Sequence, residues 1–190
     1  MNEIFLSYKR SDTPGYVGRL ADSMERAFGA GTVYRDVDSE QAGGNWKKSI
    51  VRSVSGAEVV LAVIGPSWQK LLTSGPSEDL DWVRYELIQA HDLGVPVIPV
   101  MLAQIEFDHK LDLGDLAWIK DLQFFELADG QGRWETDIAR LAKQVENLTQ
   151  LKTCETEETN TGQHIKKTSG DQSPIVDSGG GSVVMKFDNK

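Results

Sequence analysis

An aromatic ring and a carboxylate lie four residues apart in the segment LDWVRYEL, at Trp82 and Glu86. On a helix this spacing places both side chains on one face, one turn from each other. The ring could hold a planar group of a substrate while the carboxylate stabilises a developing positive charge beside it. The same pair is also typical of an amphipathic helix with a core tryptophan and a solvated glutamate. The choice between the two interpretations depends on the rest of the chain.

Composition narrows the classes of function. The chain has 190 residues, is 39% hydrophobic and 26% charged, and carries a net charge of −9. Nucleic-acid binding needs a clustered basic face, so we expect no nucleic-acid partner. The single cysteine, Cys154, allows no internal disulfide and fits a cytoplasmic protein. No apolar run approaches the length of a membrane span, and no secretory signal is recognisable, so we expect no membrane association.

Strands and helices alternate along the first four fifths of the chain. This order predicts an α/β fold with a parallel sheet and helices on both faces. Two prolines in the fourth strand indicate that it lies near an edge of the sheet or pairs imperfectly. Residues 103–121 are predicted to be irregular with one helical turn. The predicted strands are 3–8, 32–34, 58–64, 95–102 and 123–127, and the predicted helices are 16–28, 46–54, 79–93 and 134–148.

The end of the chain differs in composition from the rest. Residues 151–190 are rich in Thr, Ser and Gly and contain one aromatic residue, Phe187. Such a segment cannot bury enough apolar surface to order itself. We therefore predict a domain over residues 1–150 and a disordered polar tail over residues 151–190.

Ligands of open parallel sheets bind at the carboxyl ends of the strands. The basic pair Lys9 and Arg10 follows the first strand and could receive a phosphate or a carboxylate, although two solvated charges are the simpler interpretation. Asp36 and Asp38 follow the second strand, where their side chains also suit turn formation. The same rule also selects residues 65–68, which follow the third strand.

Several common chemistries lack their motifs. The loop after the first strand has neither of the glycine patterns that cradle phosphates, and the third strand does not end in the aspartate of a receiver domain. Ser67 is not in a nucleophile elbow. The histidines, at 91, 109 and 164, have no spacing typical of metal ligands, so no metal site is expected.

Several motifs follow one another along the chain: IFLSYKRSD, VYRDVDS, SGAEVVLAVIGPSW, DWVRYEL and GVPVIPVML. Taken in order, they resemble the TIR (Toll/interleukin-1 receptor) domain in its bacterial form. The resemblance covers residues 1–148 and implies a flavodoxin-like, doubly wound sheet of five parallel strands. In many bacterial and plant members, and in one animal neuronal member, it implies cleavage of NAD at the nicotinamide–ribose bond.

The resemblance also implies roles for individual residues. Glu86 occupies the position of the catalytic glutamate in the third-helix WxxxE-type motif. The loop from Asp36 to Trp46 corresponds to the assembly element, although Ala42-Gly43-Gly44 stands where Toll-like receptors often have Pro-Gly. NAD would be a substrate, so no cofactor is expected, and the partners would be NAD and further copies bound through TIR–TIR contacts. The residues expected to bind substrate are Tyr8, Lys9, Arg10, Asp36, Trp46 and Trp82.

The favoured function is therefore an NAD hydrolase or cyclase acting in signalling or antiviral defence. One carboxylate could suffice for this reaction. No second acid is needed to protonate the leaving group, because nicotinamide leaves a cationic precursor as a neutral molecule. Two other functions stay open. One is a non-catalytic TIR–TIR interaction module, as a signalling scaffold or a mimic of a host pathway. The other is a nucleoside-processing enzyme of related α/β type, such as a deoxyribosyltransferase, which would also use a glutamate.

Overall fold

The computed structural model describes residues 3–35, 46–69, 78–102, 105–128 and 132–154. Strands and helices alternate in this part of the chain, as the sequence predicts. The strands are β1 (Glu3–Tyr8), β2 (Val33–Arg35), β3 (Ala57–Ile64), β4 (Val97–Leu102) and β5 (Phe125–Leu127), and the helices are α1 (Pro14–Phe28), α2 (Trp46–Gly56), α3 (Glu78–Asp92), a 3₁₀ helix (Gly114–Asp121) and α4 (Arg133–Leu148).

The five strands form one sheet in the order β2-β1-β3-β4-β5. Every neighbouring pair in this sheet is parallel. The order reverses at β1, where the chain first moves outward to β2 and then returns to β3, and such a reversal opens a crevice at the carboxyl ends of the strands. The prediction of a doubly wound, flavodoxin-like sheet is confirmed.

β4 lies next to the edge strand β5 and pairs with it over only part of its length, in agreement with the prediction that it lies near an edge or pairs imperfectly. The strand pairs with β3 on one side and with β5 on the other, although it contains Pro99. Pairing with β5 begins only at Val100, because β5 has just three residues. Pro99 therefore precedes the stretch that pairs on that side, and the proline does not have to donate to β5.

The sheet separates two apolar cores. Successive strand residues point to opposite faces, so Leu6 lies in the core beneath α1 and α4, whereas Phe5 lies in the core beneath α2, α3 and the 3₁₀ helix. We call these the α1/α4 face and the α2/α3 face. Both sides of β1 and β3 are covered, and this explains why their sequences are apolar runs without alternation.

A short turn after α4 continues the domain. Leu151 is buried in the core of the α1/α4 face. The carboxylate of Glu146 accepts hydrogen bonds from the backbone N–H and the hydroxyl of Thr153, and the N–H of Cys154 donates to the carbonyl of Ala27 in α1. Residues Met1–Glu155 form one compact unit. The boundary predicted after Gln150 stays a prediction, and the tail from residue 155 lies outside the described residues.

Within the described ranges, no helix combines the length and the apolar character that crossing a membrane requires.

Candidate functional site

Glu86 is a carboxylate in the apolar stripe of α3. The stripe contains Val83, Leu87 and Ala90, all buried. These positions recur at helical spacing and direct one side of α3 toward the sheet. Glu86 follows Val83 by three residues, so its side chain points the same way, and only 4% of the residue is exposed. Burying an ionisable group is costly unless hydrogen bonds compensate, so the surroundings of Glu86 require an explanation.

The hydroxyl of Ser7 provides one such hydrogen bond. Ser7 Oγ donates to Glu86 Oε2 at 2.6 Å, a length typical of a hydroxyl bonded to a carboxylate. Ser7 is the last residue but one of β1 and is 1% exposed. The contact therefore fixes the carboxylate at the carboxyl end of β1, on the α2/α3 face. The sequence gives no sign of this pair, whose members lie 79 residues apart.

The 3₁₀ helix packs beside α3 on the α2/α3 face and supports it. Arg84 Nη2 lies 3.4 Å from Asp115 Oδ2, and the ring of His91 stacks on Trp118 with 4.6 Å between ring centroids. Gly114 approaches Arg84 so closely that a Cβ there would come within 2.8 Å of the guanidinium. Residues 103–121, predicted as irregular, thus include a helix that supports the one carrying Glu86.

Trp82 is half-buried and packs against the core of the α2/α3 face, one turn before Glu86. The prediction that both side chains share a face of the helix agrees with this placement. The ring contributes to the core at the same time, so a substitution of Trp82 affects packing as well as any contact with a substrate.

The three residues predicted to bind substrate after β1 occupy different places. The ring of Tyr8 packs against the core of the α1/α4 face, so the sheet separates it from Glu86. Lys9 is half-buried, and its carbonyl accepts the N–H of Asp12 in a turn. Arg10 is exposed in that turn. The hydrogen bond from Ser7 joins the end of β1 to Glu86.

Two further predicted site residues are not described in full. Asp36 lies outside the described residues. Trp46 is described only as the first residue of α2. Their predicted part in binding substrate stays a prediction, as do the parts of Tyr8, Lys9, Arg10 and Trp82.

A side chain from the loop after β1 fastens the loop after β3. The carboxylate of Asp12 accepts hydrogen bonds from the N–H of Ser67 at 3.1 Å and from its hydroxyl at 2.6 Å. The approach requires glycine at position 65, because a Cβ there would overlap the Asp12 carboxylate. Ser67, which is not in a nucleophile elbow, thus has a structural role at the edge where ligands of this fold bind.

The histidines described by the structure pack against aromatic rings. His91 stacks on Trp118, and His109 meets the edge of Phe107. Across the described ranges, no group of three or more His, Cys, Asp or Glu side chains is arranged to hold a metal ion.

A five-stranded parallel sheet in the order 2-1-3-4-5, with a buried glutamate at its carboxyl edge, defines a flavodoxin-like α/β protein with a candidate ligand site. The model of the TIR domain family matches residues 4–142. The chain therefore belongs to the TIR domain family. No curated protein matches it significantly.

Solved structures of TIR domains share the fold. One belongs to the activated Roq1 resistosome that directly recognises the pathogen effector XopQ: TM-score 0.55, 15% identity, covering 76% of this chain and 99% of that one. Another is the TIR domain of the Toll-related receptor TRR-2 from Hydra magnipapillata: TM-score 0.52, 15% identity, covering 77% of this chain and 100% of that one. At this identity the likeness concerns the fold alone.

Proposed function

We propose that this chain cleaves NAD at the bond between nicotinamide and ribose, with the Glu86 carboxylate as the catalytic group. The observation that carries the proposal is the burial of this carboxylate at the carboxyl edge of the sheet, hydrogen-bonded to Ser7. Ligands of such sheets bind at this edge. Ionisable groups kept in buried positions near such an edge are candidates for chemistry.

The reaction asks for one charged group near the ribose. When the bond from C1′ to the pyridinium nitrogen breaks, its electron pair passes to the ring and nicotinamide leaves as a neutral molecule. Positive charge then develops on the ribose, as in glycoside hydrolysis. A carboxylate beside that carbon stabilises the charge. Water that adds to C1′ and loses a proton yields ADP-ribose, whereas attack by the adenine or by a ribose hydroxyl yields a cyclic product.

The substrate needs further contacts, which we assign to residues around the same edge. Trp82, one turn before Glu86, supports a planar group of NAD, and the cations Lys9 and Arg10 suit its pyrophosphate. Asp36 and Trp46, together with Tyr8 at the same carboxyl edge but on the α1/α4 face, complete the proposed binding set. NAD is the substrate, and no cofactor or metal takes part in this proposal.

Self-association belongs to the same proposal. The loop from Asp36 to Trp46 would meet a neighbouring copy and complete the pocket, so activity would rise with protein concentration. The Roq1 structure, in which TIR domains form part of an assembly, supports this idea. We place the activity in cytoplasmic signalling or defence, in agreement with the single cysteine.

The alternative is a non-catalytic module that acts through TIR–TIR contacts. The likeness to the TIR domain of a Toll-related receptor favours it. In that case Glu86 would be a buried structural carboxylate, and its removal would change stability or assembly without changing any turnover.

Incubation of the purified protein with NAD, followed by chromatography of the products, tests the proposal. The assay should cover a range of protein concentrations, because assembly is expected to complete the site, and a panel of nucleosides would reveal a deoxyribosyltransferase instead. We expect nicotinamide to be released by the parent and not by Glu86→Gln. Turnover equal to the parent's in Glu86→Gln would contradict the catalytic assignment. An inactive parent, even when assembly is promoted, would favour the non-catalytic module.

A further inference from the structure

Ser7 is an unusual residue for its place in the fold. It lies in a strand that is paired on both sides and covered on both faces, and its neighbours in β1 are mostly apolar. Its register partner on β3 is Ala62, which belongs to the core of the α2/α3 face. Two small side chains are thus adjacent on the sheet surface that faces α3, and one of them donates a hydrogen bond to Glu86.

A carboxylate in the position of Glu86 needs an orienting contact. The last torsion of a glutamate side chain joins sp³ to sp² carbon and has broad, shallow minima, so packing alone does not set the plane of the carboxylate. A hydroxyl at 2.6 Å from Oε2 restricts that rotation. The hydroxyl is itself held by a central strand, and donors on such rigid elements position functional groups more accurately than donors on loops.

We propose that Ser7 is a positioning residue for NAD cleavage. Its hydroxyl fixes one oxygen of the Glu86 carboxylate and so sets the plane in which that carboxylate meets the ribose. This inference rests on the proposed function. It also predicts that loss of the hydroxyl lowers kcat more than it raises KM, because orientation toward developing charge matters most in the transition state.

The variants Ser7→Ala, Ser7→Thr and Ser23→Ala test the inference in steady-state assays. Ser23 is a matched control: it is 2% exposed, and its hydroxyl accepts a hydrogen bond from Trp134 Nε1 at 3.1 Å on the α1/α4 face. We expect Ser7→Ala to lose about 30-fold in kcat, equivalent to about 2 kcal/mol. Ser7→Thr, which keeps the hydroxyl, should recover most of the loss, and Ser23→Ala should keep the parent's kcat.

A second measurement does not depend on turnover. The unfolding midpoints of Ser7→Ala, Glu86→Ala and the double variant form a cycle that reports direct coupling between the two side chains. We expect the shift caused by Ser7→Ala to shrink in the Glu86→Ala background. Additive shifts would overturn the contact on which the inference depends.

The outcomes separate this inference from the proposed function. If the parent releases nicotinamide, Glu86→Gln does not, and Ser7→Ala keeps the same kcat as Ser23→Ala, the role of Ser7 is overturned and that of Glu86 stands. If Ser7→Ala raises KM alone, positioning in the transition state is likewise wrong. If the parent and Glu86→Gln have equal turnover, or neither has any, the proposed function is overturned and the positioning role with it.

Discussion

Among the described residues, two carboxylates are buried on opposite faces of the sheet, and they are held in different ways. Asp137, on α4, is 3% exposed; its Oδ2 accepts the N–H of Ala128 at 3.1 Å, and its Oδ1 lies 3.2 Å from Nη1 of Arg140. Both partners lie within nine residues of it. Glu86 instead accepts a hydrogen bond from the hydroxyl of Ser7 in β1, a residue 79 positions away along the chain.

The difference suggests different purposes. The contacts of Asp137 close the connection between β5 and α4, and a structural role accounts for them fully. The contact of Glu86 joins α3 to the carboxyl end of β1, where the fold binds ligands. Asp137 also lies at the carboxyl edge, because Ala128 directly follows β5, but β5 is the last strand of the sheet, whereas the strand order reverses at β1. The proposed role of Glu86 therefore rests on its position at the reversal and not on burial alone.

The largest expected effect concerns turnover. Glu86→Gln keeps the shape of the side chain and removes its charge, and we expect NAD cleavage to fall by at least about 100-fold, roughly 2.7 kcal/mol of transition-state stabilisation. Asp137→Asn makes the same chemical change on the other face and should leave kcat within about twofold of the parent's. Initial rates of nicotinamide release, measured on both variants, decide the matter. A similar loss in the two variants would mean that the comparison reflects general damage to the fold.

The sequence predicts most of the fold, because apolar patterns report which segments are buried. The same patterns do not report which side chains meet at the site. Apolar runs and helical periodicity report burial, and they locate β1 at its observed bounds. They do not report strand order: the prolines of the fourth strand predict that it lies near an edge, but not that β5 is the strand beyond it. The 3₁₀ helix lacks a strong periodicity of apolar residues. For this reason the sequence predicts only a single helical turn in residues 103–121.

The site shows the same limit more sharply. Glu86 and Trp82 can be selected from their spacing, since that pattern is local. Ser7 cannot, because both faces of β1 are covered and its sequence shows no alternation that would tell Ser7 from Tyr8. The rule that ligands bind at the carboxyl ends of strands identifies one edge of the sheet, but it does not say on which face the ligand lies. The ring of Tyr8 is at this edge but on the opposite face from Glu86.

Removing the turn after α4 should lower stability without affecting turnover, because the contacts of this turn lie on the α1/α4 face. Truncation after Gln150 removes buried Leu151 and the hydrogen bonds of Thr153 and Cys154. We expect a loss of about 2 kcal/mol, or roughly 4–8 °C in the unfolding midpoint, with kcat unchanged. Truncation after Cys154 keeps these contacts and is the control; we expect its midpoint to equal the parent's. Equal midpoints for both truncations would show that the turn after α4 adds nothing to stability.

The two buried carboxylates should also differ in their contribution to stability. Asp137→Asn weakens a charge-assisted contact with Arg140 and should lower the free energy of unfolding by about 1 kcal/mol. Glu86→Gln keeps an acceptor for the Ser7 hydroxyl in the same place, so we expect it to lose less stability than Asp137→Asn. Urea unfolding of both variants at neutral pH provides the measurement. A larger loss for Glu86→Gln than for Asp137→Asn would indicate that Glu86 is mainly a structural group.

The smallest expected effect depends on pH and concerns Glu146, at the end of α4. Hydrogen bonds from the backbone and the hydroxyl of Thr153, and then the nearby Lys143 ammonium, lower the pKa of Glu146 from 4.5 to about 2. A lowered pKa in the folded state means that the stabilisation is complete above the unfolded-state value and is lost as the pH falls from about 4.5 to about 2. The difference in urea midpoint between the parent and Glu146→Gln should therefore be constant above pH 5 and shrink below pH 4.5. Glu126→Gln, which makes the same change at an exposed position of β5 away from the turn, is the matched control variant. A difference that stays constant down to pH 2.5 would show that the charge of Glu146 does not hold the turn, and that burial of Leu151 alone fastens it to the α1/α4 face.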